Sequence, residues 1–112
     1  MLLNRVFFYQ DAWTELLEAI NDYNAKANGL GRQFLNAVER AISQISENPQ
    51  SFSFQQATQT REYSLNRLPY MIHYICLNEH QKTLEPEIWI VGIEKKDTNQ
   101  RDVFCNYIEQ NQ

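Results

Sequence analysis

Residues 28–49 read NGLGRQFLNAVERAISQISENP and contain the pattern that decides the fold. Their apolar residues recur every three or four positions, which is the spacing of one face of an α-helix. Asn28, Gly29 and Gly31 interrupt the helical pattern that precedes it, and Asn48–Pro49 end this one, because proline disfavours helical geometry in the residue before it. The sequence therefore predicts a helix with a buried stripe of Leu30, Phe34, Val38, Ala41, Ile42 and Ile45.

Another helix is predicted immediately upstream. Asp11 stands where a helix N-cap would accept backbone hydrogen bonds, and acidic residues follow it on the outer arc at Glu15, Glu18 and Asp22. Since the turn to the next helix is so short, the two helices should pack antiparallel as a hairpin. The predicted stripe of this first helix comprises Trp13, Leu16, Leu17, Ile20, Tyr23 and Ala27.

Residues that favour β-structure flank the predicted hairpin on both sides. Strands are predicted at residues 4–9, 61–65, 70–77 and 87–94, and the polar stretch 50–60 is predicted to be a loop. The last strand is apolar on both faces, which is typical of a central strand covered on both sides. After Thr98, the spacing of Phe104, Tyr107 and Ile108 predicts a short C-terminal helix. The predicted fold is α+β, in the order β-α-α-β-β-β, with the helical hairpin packed on one face of a mainly antiparallel sheet.

The totals place limits on the protein's class. A chain of 112 residues is the length of one domain, so we treat residues 1–112 as a single unit. A net charge of −4 opposes general binding to nucleic acid. No apolar run approaches the roughly 20 residues that span a bilayer, and no signal-peptide pattern is present, so we expect a cytoplasmic protein.

The sequence predicts neither a metal site nor a cofactor. Cys76 and Cys105 fall in different predicted elements, and His73 and His80 lie seven residues apart without a second pair of ligands. We expect the two cysteines to be separate buried thiols.

Candidate binding residues cluster around residues 61–74, REYSLNRLPYMIHY. Hairpin geometry brings Arg61 near Tyr74 and leaves Arg67 in the turn. Lys95 and Lys96, at the end of the last strand, are expected to join them on the side of the sheet away from the helices, as a cationic contact surface. The alternatives are solvated charges at a sheet edge and a core position for Tyr74.

The order of these features resembles the RelE/ParE superfamily of bacterial toxins from type II toxin–antitoxin systems. The resemblance rests on ELLEAINDYN followed by NGLGRQFLNAVERAISQISENP, on REYSLNRLPYMIHY, and on the last strand IWIVGIEKK. The helical hairpin and its Asn-Pro end are more similar to the ParE-like, plasmid-stabilisation branch.

The resemblance implies a toxin that a cognate antitoxin neutralises, either as part of a hetero-oligomer or beside a homodimer of the toxin. For the ParE-like branch the implied target is DNA gyrase, and for the RelE-like branch it is mRNA in the ribosomal A site. A third reading is a degenerate toxin that only binds its antitoxin. Where the family often has a histidine and an arginine after the last strand, this chain has Lys95 and Lys96, and Phe104 replaces the terminal aromatic residue.

Metal-independent cleavage of mRNA requires a base, an acid and cations that stabilise the charge on phosphorus. The candidates are His73 or Lys95 as base, Tyr74 as acid, and Arg61 with Arg67 as stabilisers. His73 and Tyr74 are adjacent in a predicted strand, so their side chains face opposite ways. The sequence therefore favours a protein-binding toxin over a ribonuclease.

Overall fold

A computed structural model describes residues 5–78 and 85–96 of the chain. Within them the protein is an α+β domain with two helices and a five-stranded, mostly antiparallel sheet. The elements are β1 (Val6–Phe8), α1 (Gln10–Lys26), α2 (Leu30–Glu47), β2 (Ser53–Gln55), β3 (Thr60–Ser64), β4 (Tyr70–Leu77) and β5 (Glu87–Lys95).

The two helices form the predicted hairpin, joined by residues 27–29. Gly29 adopts a φ of 86°, a left-handed conformation that costs glycine little. All six residues of the stripe predicted for α2 are buried. An aromatic cluster then ties the hairpin to the sheet, because the Phe34 ring lies 5.1 Å from Tyr23 of α1 and 4.9 Å from Tyr70 of β4.

Two details predicted for α1 are wrong. Tyr9, and not Asp11, is the N-cap, because the Tyr9 amide still donates to Ile90 of the sheet and the helix begins directly afterwards. The buried face is also rotated, since Trp13 is 49% and Leu17 43% exposed. The residues that α1 buries are Ala12, Leu16, Ala19 and Tyr23.

The strands lie in the order β1-β5-β4-β3-β2. β1 pairs in parallel with β5, and the other pairs are antiparallel. The helical hairpin and strands β2 to β4 separate the two parallel strands along the chain. The prediction of a loop at 50–60 is wrong for Ser53–Gln55, which forms the edge strand β2 on β3. Its side chains are all exposed, so the strand has no buried face that an alternation of apolar residues in the sequence would have indicated.

β5 lies inside the sheet between β1 and β4, and the described part of the chain covers only one of its faces. Ile88, Ile90 and Ile93 face the helices and are buried, whereas Trp89 lies half-buried on the other face, which we call the open face. Val91 is an extra residue at a β-bulge, because Tyr74 pairs with Ile90 while His73 pairs with Gly92. This bulge lets Ile90 and Ile93, three residues apart, both enter the core.

Near the C-terminal end of β5, a side chain of α1 accepts a hydrogen bond from the strand backbone. β1 extends along β5 only as far as Ile90, and beyond it the Ile93 amide donates to the Glu15 carboxylate of α1 over 2.9 Å. A backbone donor at this edge is therefore satisfied within the domain.

The C-terminal helix predicted after Thr98 lies outside the described residues. No helix in residues 5–78 and 85–96 combines the length and apolar character needed to cross a bilayer.

Candidate target-binding surface

The structure divides the five predicted site residues between two regions. Arg61 and Tyr74 are direct register partners on β3 and β4, as the hairpin geometry predicts. Directly paired residues project to the same face of a sheet, and Tyr74 is fully buried beneath the helices. Arg61 therefore lies on the helical side of the sheet, and the prediction that it belongs to the open face is wrong.

Tyr74 is part of the core and has no exposed surface to offer a target. Its hydroxyl donates to the Pro49 carbonyl over 2.7 Å, which fixes the end of the segment that leaves α2. Arg61 contacts the same segment between α2 and β3 further along the chain. Its Nη1 donates to the Phe52 carbonyl over 2.9 Å, and its guanidinium lies 5.4 Å from the Phe54 ring. We assign both side chains to the attachment of β2 and its preceding loop.

Arg67, Lys95 and Lys96 lie together at one end of the sheet, and we call this set the cationic end. Arg67 is exposed in the turn from β3 to β4, where it adopts a left-handed φ of 64°. Lys95 pairs with Tyr70, the first residue after that turn, which is buried in the core. Lys95 therefore lies on the helical side of the sheet, and the prediction that it belongs to the open face is also wrong. The amide of Lys96 donates to the Pro69 carbonyl over 2.8 Å, so the turn and the end of β5 are joined directly.

Arg61 lies well away from this set. Its partner Tyr74 is four residues beyond Tyr70 along β4, which corresponds to about 13 Å at the usual rise of a strand. The cationic surface is thus a feature of the sheet end, where Arg67 and Lys95 are exposed and Lys96 is half-buried. It is not a patch on a sheet face.

Lys26, which no sequence pattern marks as a candidate, lies toward the same end of the molecule. Its Nζ lies 5.1 Å from the centre of the Tyr23 ring, and that ring is 6.2 Å from Tyr70, the partner of Lys95. Only the tertiary packing of α1 against β4 reveals this proximity. The spacing along the chain, with Lys26 some seventy residues before Lys95, carries no such signal.

A shallow cleft of about 230 Å³ lies between α2 and β3, next to the turn that carries Arg67. Arg40 on α2 and Asn66 in the turn supply polar groups to its wall, and Leu65 contributes an apolar floor. The remaining lining residues are Ala37, Ala41, Gln44 and Tyr63. The cleft could accept a side chain from a macromolecule that docks against the cationic end.

The open face has the opposite electrostatic character around His73. The His73 Nε2 lies 2.8 Å from the Glu94 carboxylate, and its Nδ1 lies 4.0 Å from Glu62. Glu62 is the register partner of His73, and the bulge at Val91 aligns Glu94 with the same face. Lys96 also reaches this face, where its Nζ donates to Ser64 over 3.1 Å.

The candidate acid and base for RNA cleavage lie on opposite faces of β4. His73 is on the open face between two carboxylates, and Tyr74 is buried on the helical side. Neither lies at the cationic end. In residues 5–78 and 85–96, no three side chains from His, Cys, Asp and Glu are grouped so that they could hold a metal ion.

Comparison with the models of known protein families finds no match to this chain. A comparison with curated proteins finds no match either.

Proposed function

We propose that this protein is the toxin of a type II toxin–antitoxin system, acting in the cytoplasm as a non-enzymatic inhibitor of DNA gyrase. The sequence resemblance to ParE-like toxins motivates the class. The observation that carries the mode of action is the cationic end, where Arg67, Lys95 and Lys96 are gathered on two tethered backbone segments of an acidic protein.

The cationic end is suited to an acidic protein surface. Arginine presents a planar fork of donors that matches carboxylates, and lysine supplies a mobile point charge. The backbone bond from Lys96 to Pro69 fixes the spacing of the turn and the strand end, so little ordering is needed on binding. An isolated cationic end on a chain of net charge −4 also orients the molecule as it approaches an acidic partner.

A separate surface is suited to the antitoxin. Trp13 and Leu17 are spaced by one helical turn on α1 and are 49% and 43% exposed. Exposed apolar residues at this spacing are a typical seat for an amphipathic segment of a partner. We propose that the cognate antitoxin covers this part of the helical hairpin and the adjoining sheet margin.

The first experiment expresses the chain alone and together with the gene that adjoins it. We expect growth arrest alone and normal growth with the neighbour. Normal growth during confirmed expression of folded protein alone would reject the toxin assignment.

The second experiment tests the target with purified gyrase in a supercoiling assay. The variant Arg67→Gln/Lys95→Gln removes two positive charges from the cationic end, and we expect it to need at least tenfold more protein for the same inhibition, because each desolvated charged contact is worth about 1.4 kcal/mol or more. The control Gln55→Glu/Gln56→Glu changes the net charge equally at the opposite end of the sheet and should inhibit like the wild type.

The outcomes separate the class of protein from its target. Arrest of growth with uninhibited gyrase would reject gyrase, and codon-positioned cuts in primer extension of cellular mRNA would then show ribonuclease activity. Equal inhibition by both variants would mean that the cationic end is not the contact surface.

A further inference from the structure

The edge strand β1 carries backbone groups that no other strand in residues 5–78 and 85–96 pairs. Its connections to β5 are made by odd-numbered residues: Tyr9 donates to Ile90, and Arg5 accepts from Ile88, each over 2.9 Å. Phe7 is the central register partner in the same ladder, opposite Trp89. Because backbone groups alternate in direction along a strand, the N–H and C=O groups of Val6 and Phe8 point outward, away from the sheet.

Side chains on both faces of this edge are apolar. On the open face, Phe7 stacks on Trp89 with ring centres 4.8 Å apart, yet Phe7 remains 39% exposed. Tyr9 packs edge-on against the same indole at 5.6 Å and is 46% exposed. On the helical side, Phe8 contacts Trp13, with ring centres 5.5 Å apart.

β1 also lacks the features that protect sheet edges. The strand VFF contains no lysine, proline or bulge, whereas such features usually discourage pairing with another chain. At the other edge, β2 has polar Ser53 and Gln55, and Arg61 covers Phe54. The stretch of β5 beyond β1 is covered by Glu15. The unprotected edge is therefore confined to three residues and their flanks.

We propose that β1 is the interface of a homodimer, in which two copies of this chain pair their β1 strands antiparallel about a two-fold axis at Phe7. The outward groups of Val6 in one copy then bond those of Phe8 in the other, giving four backbone hydrogen bonds across the axis. Phe7 faces its own counterpart as a pair without backbone hydrogen bonds, the arrangement in which cross-strand side chains are closest. The two Phe7–Trp89 stacks become one continuous aromatic row.

The self-complementary pattern of this edge favours a second copy as the occupant. The register sets Arg5, which is ion-paired with Glu87 of its own chain, opposite the Tyr9 ring of the second copy. Two-fold symmetry repeats the contact, and no like charges meet at the centre. Tyr9 extends the contact on the open face, toward the roughly 1,000 Å² that a specific interface buries.

The dimer leaves both cationic ends accessible. β5 runs parallel to β1, and the two β1 strands run antiparallel to each other. The two cationic ends therefore point in opposite directions from a ten-stranded sheet. The dimer does not depend on the proposed toxin activity, and its test is separate.

The test is sedimentation of the full-length purified chain over a range of concentrations. We expect wild-type protein to reach twice its monomer mass of 13.3 kDa, and Phe7→Glu to weaken association at least tenfold, because the symmetry axis places the two new carboxylates opposite each other. The matched control is Phe54→Glu, since Phe54 is likewise the central residue of a three-residue edge strand and is 44% exposed. It should associate like the wild type. Wild-type protein that stays monomeric up to about 100 µM would overturn the proposal.

Disulfide cross-linking between the two copies tests the β1 pairing even if Phe7→Glu does not fold. In a chain with Cys76 and Cys105 changed to serine, Phe7→Cys should form a covalent dimer on mild oxidation, because paired residues of this kind have Cα atoms about 4.5 Å apart. Phe54→Cys should stay monomeric under the same conditions. A native dimer in which Phe7→Cys does not cross-link, or cross-links no faster than Phe54→Cys, would place the interface elsewhere and refute the β1 pairing.

Discussion

The buried position of Tyr74 predicts how much its hydroxyl group contributes to the free energy of unfolding. Changing Tyr74 to phenylalanine removes the donor to the Pro49 carbonyl, a bond of 2.7 Å beneath a fully buried ring. The ring keeps its packing, so the loss is that of the hydrogen bond and its now unpaired acceptor. We expect the free energy of unfolding to fall by about 1 kcal/mol.

The control is Tyr63→Phe, which removes a hydrogen bond of similar length from a neighbouring strand. The Tyr63 hydroxyl donates to the Gln44 side chain over 2.8 Å, but this bond is exposed, and water can replace it. We therefore expect a loss within about 0.5 kcal/mol. The comparison isolates the effect of burial on the same chemical change.

Equilibrium unfolding in urea, followed by tryptophan fluorescence, measures both losses. With a slope of 1–2 kcal/mol per molar urea, the midpoint of Tyr74→Phe should fall by roughly 0.5–1 M and its melting temperature by about 4 °C. Gyrase inhibition by the folded variant should be unchanged. Equal midpoints for the two variants, or loss of inhibition by stably folded Tyr74→Phe, would refute the assignment.

Two further predictions concern the edges of β5. Glu15→Ala leaves the Ile93 amide without its acceptor, so we expect the free energy of unfolding to fall by about 1–2 kcal/mol and hydrogen exchange at that amide to become faster. The control is Glu18→Ala, which changes an exposed acid of the same helix. Unchanged exchange at Ile93 would contradict the role of Glu15. The Glu87 carboxylate accepts from Trp89 Nε1 and, in a short ion pair, from Arg5, and these contacts hold its pKa below the ordinary value of 4.5. A depressed carboxyl pKa contributes stability that is complete above that ordinary value and is lost as the pH falls through the folded-state pKa. Urea midpoints should therefore fall less on acidification in Glu87→Gln than in the wild type, and parallel pH profiles for the two proteins would show that the carboxylate makes no such contribution.

The proposed site was predicted from sequence only in part. The turn that carries Arg67 and the strand end that carries Lys95 and Lys96 were recognisable, because proline, polar residues and charges mark where strands stop. The side of the sheet that Arg61 occupies was not recognisable. It depends on pairing with Tyr74, and a shift of one residue in register would have reversed it.

The bulge at Val91 shows the same limit within one strand. Sequence alternation alone describes β5 as apolar on both faces and predicts a covered central strand. The extra residue instead changes the phase of the strand, so that Ile90 and Ile93 share the core while Glu94 joins His73 on the open face. Nothing in the local composition of IWIVGIE marks which residue is the extra one.

The sequence by itself determined the helical hairpin, because the stripe from Leu30 to Ile45 and the break at Asn48–Pro49 are local signals that act over one or two turns. It also determined the positions of four of the five described strands, all but β2, through runs of β-branched and aromatic residues. Tertiary structure alone decided which residues face each other: β1 beside β5, Arg61 on the same side of the sheet as the helices, and Lys26 over the ring of Tyr23, which packs on Tyr70. The physical reason is that helix periodicity is written in neighbouring residues, whereas strand partners and register are fixed by contacts between residues far apart in the chain.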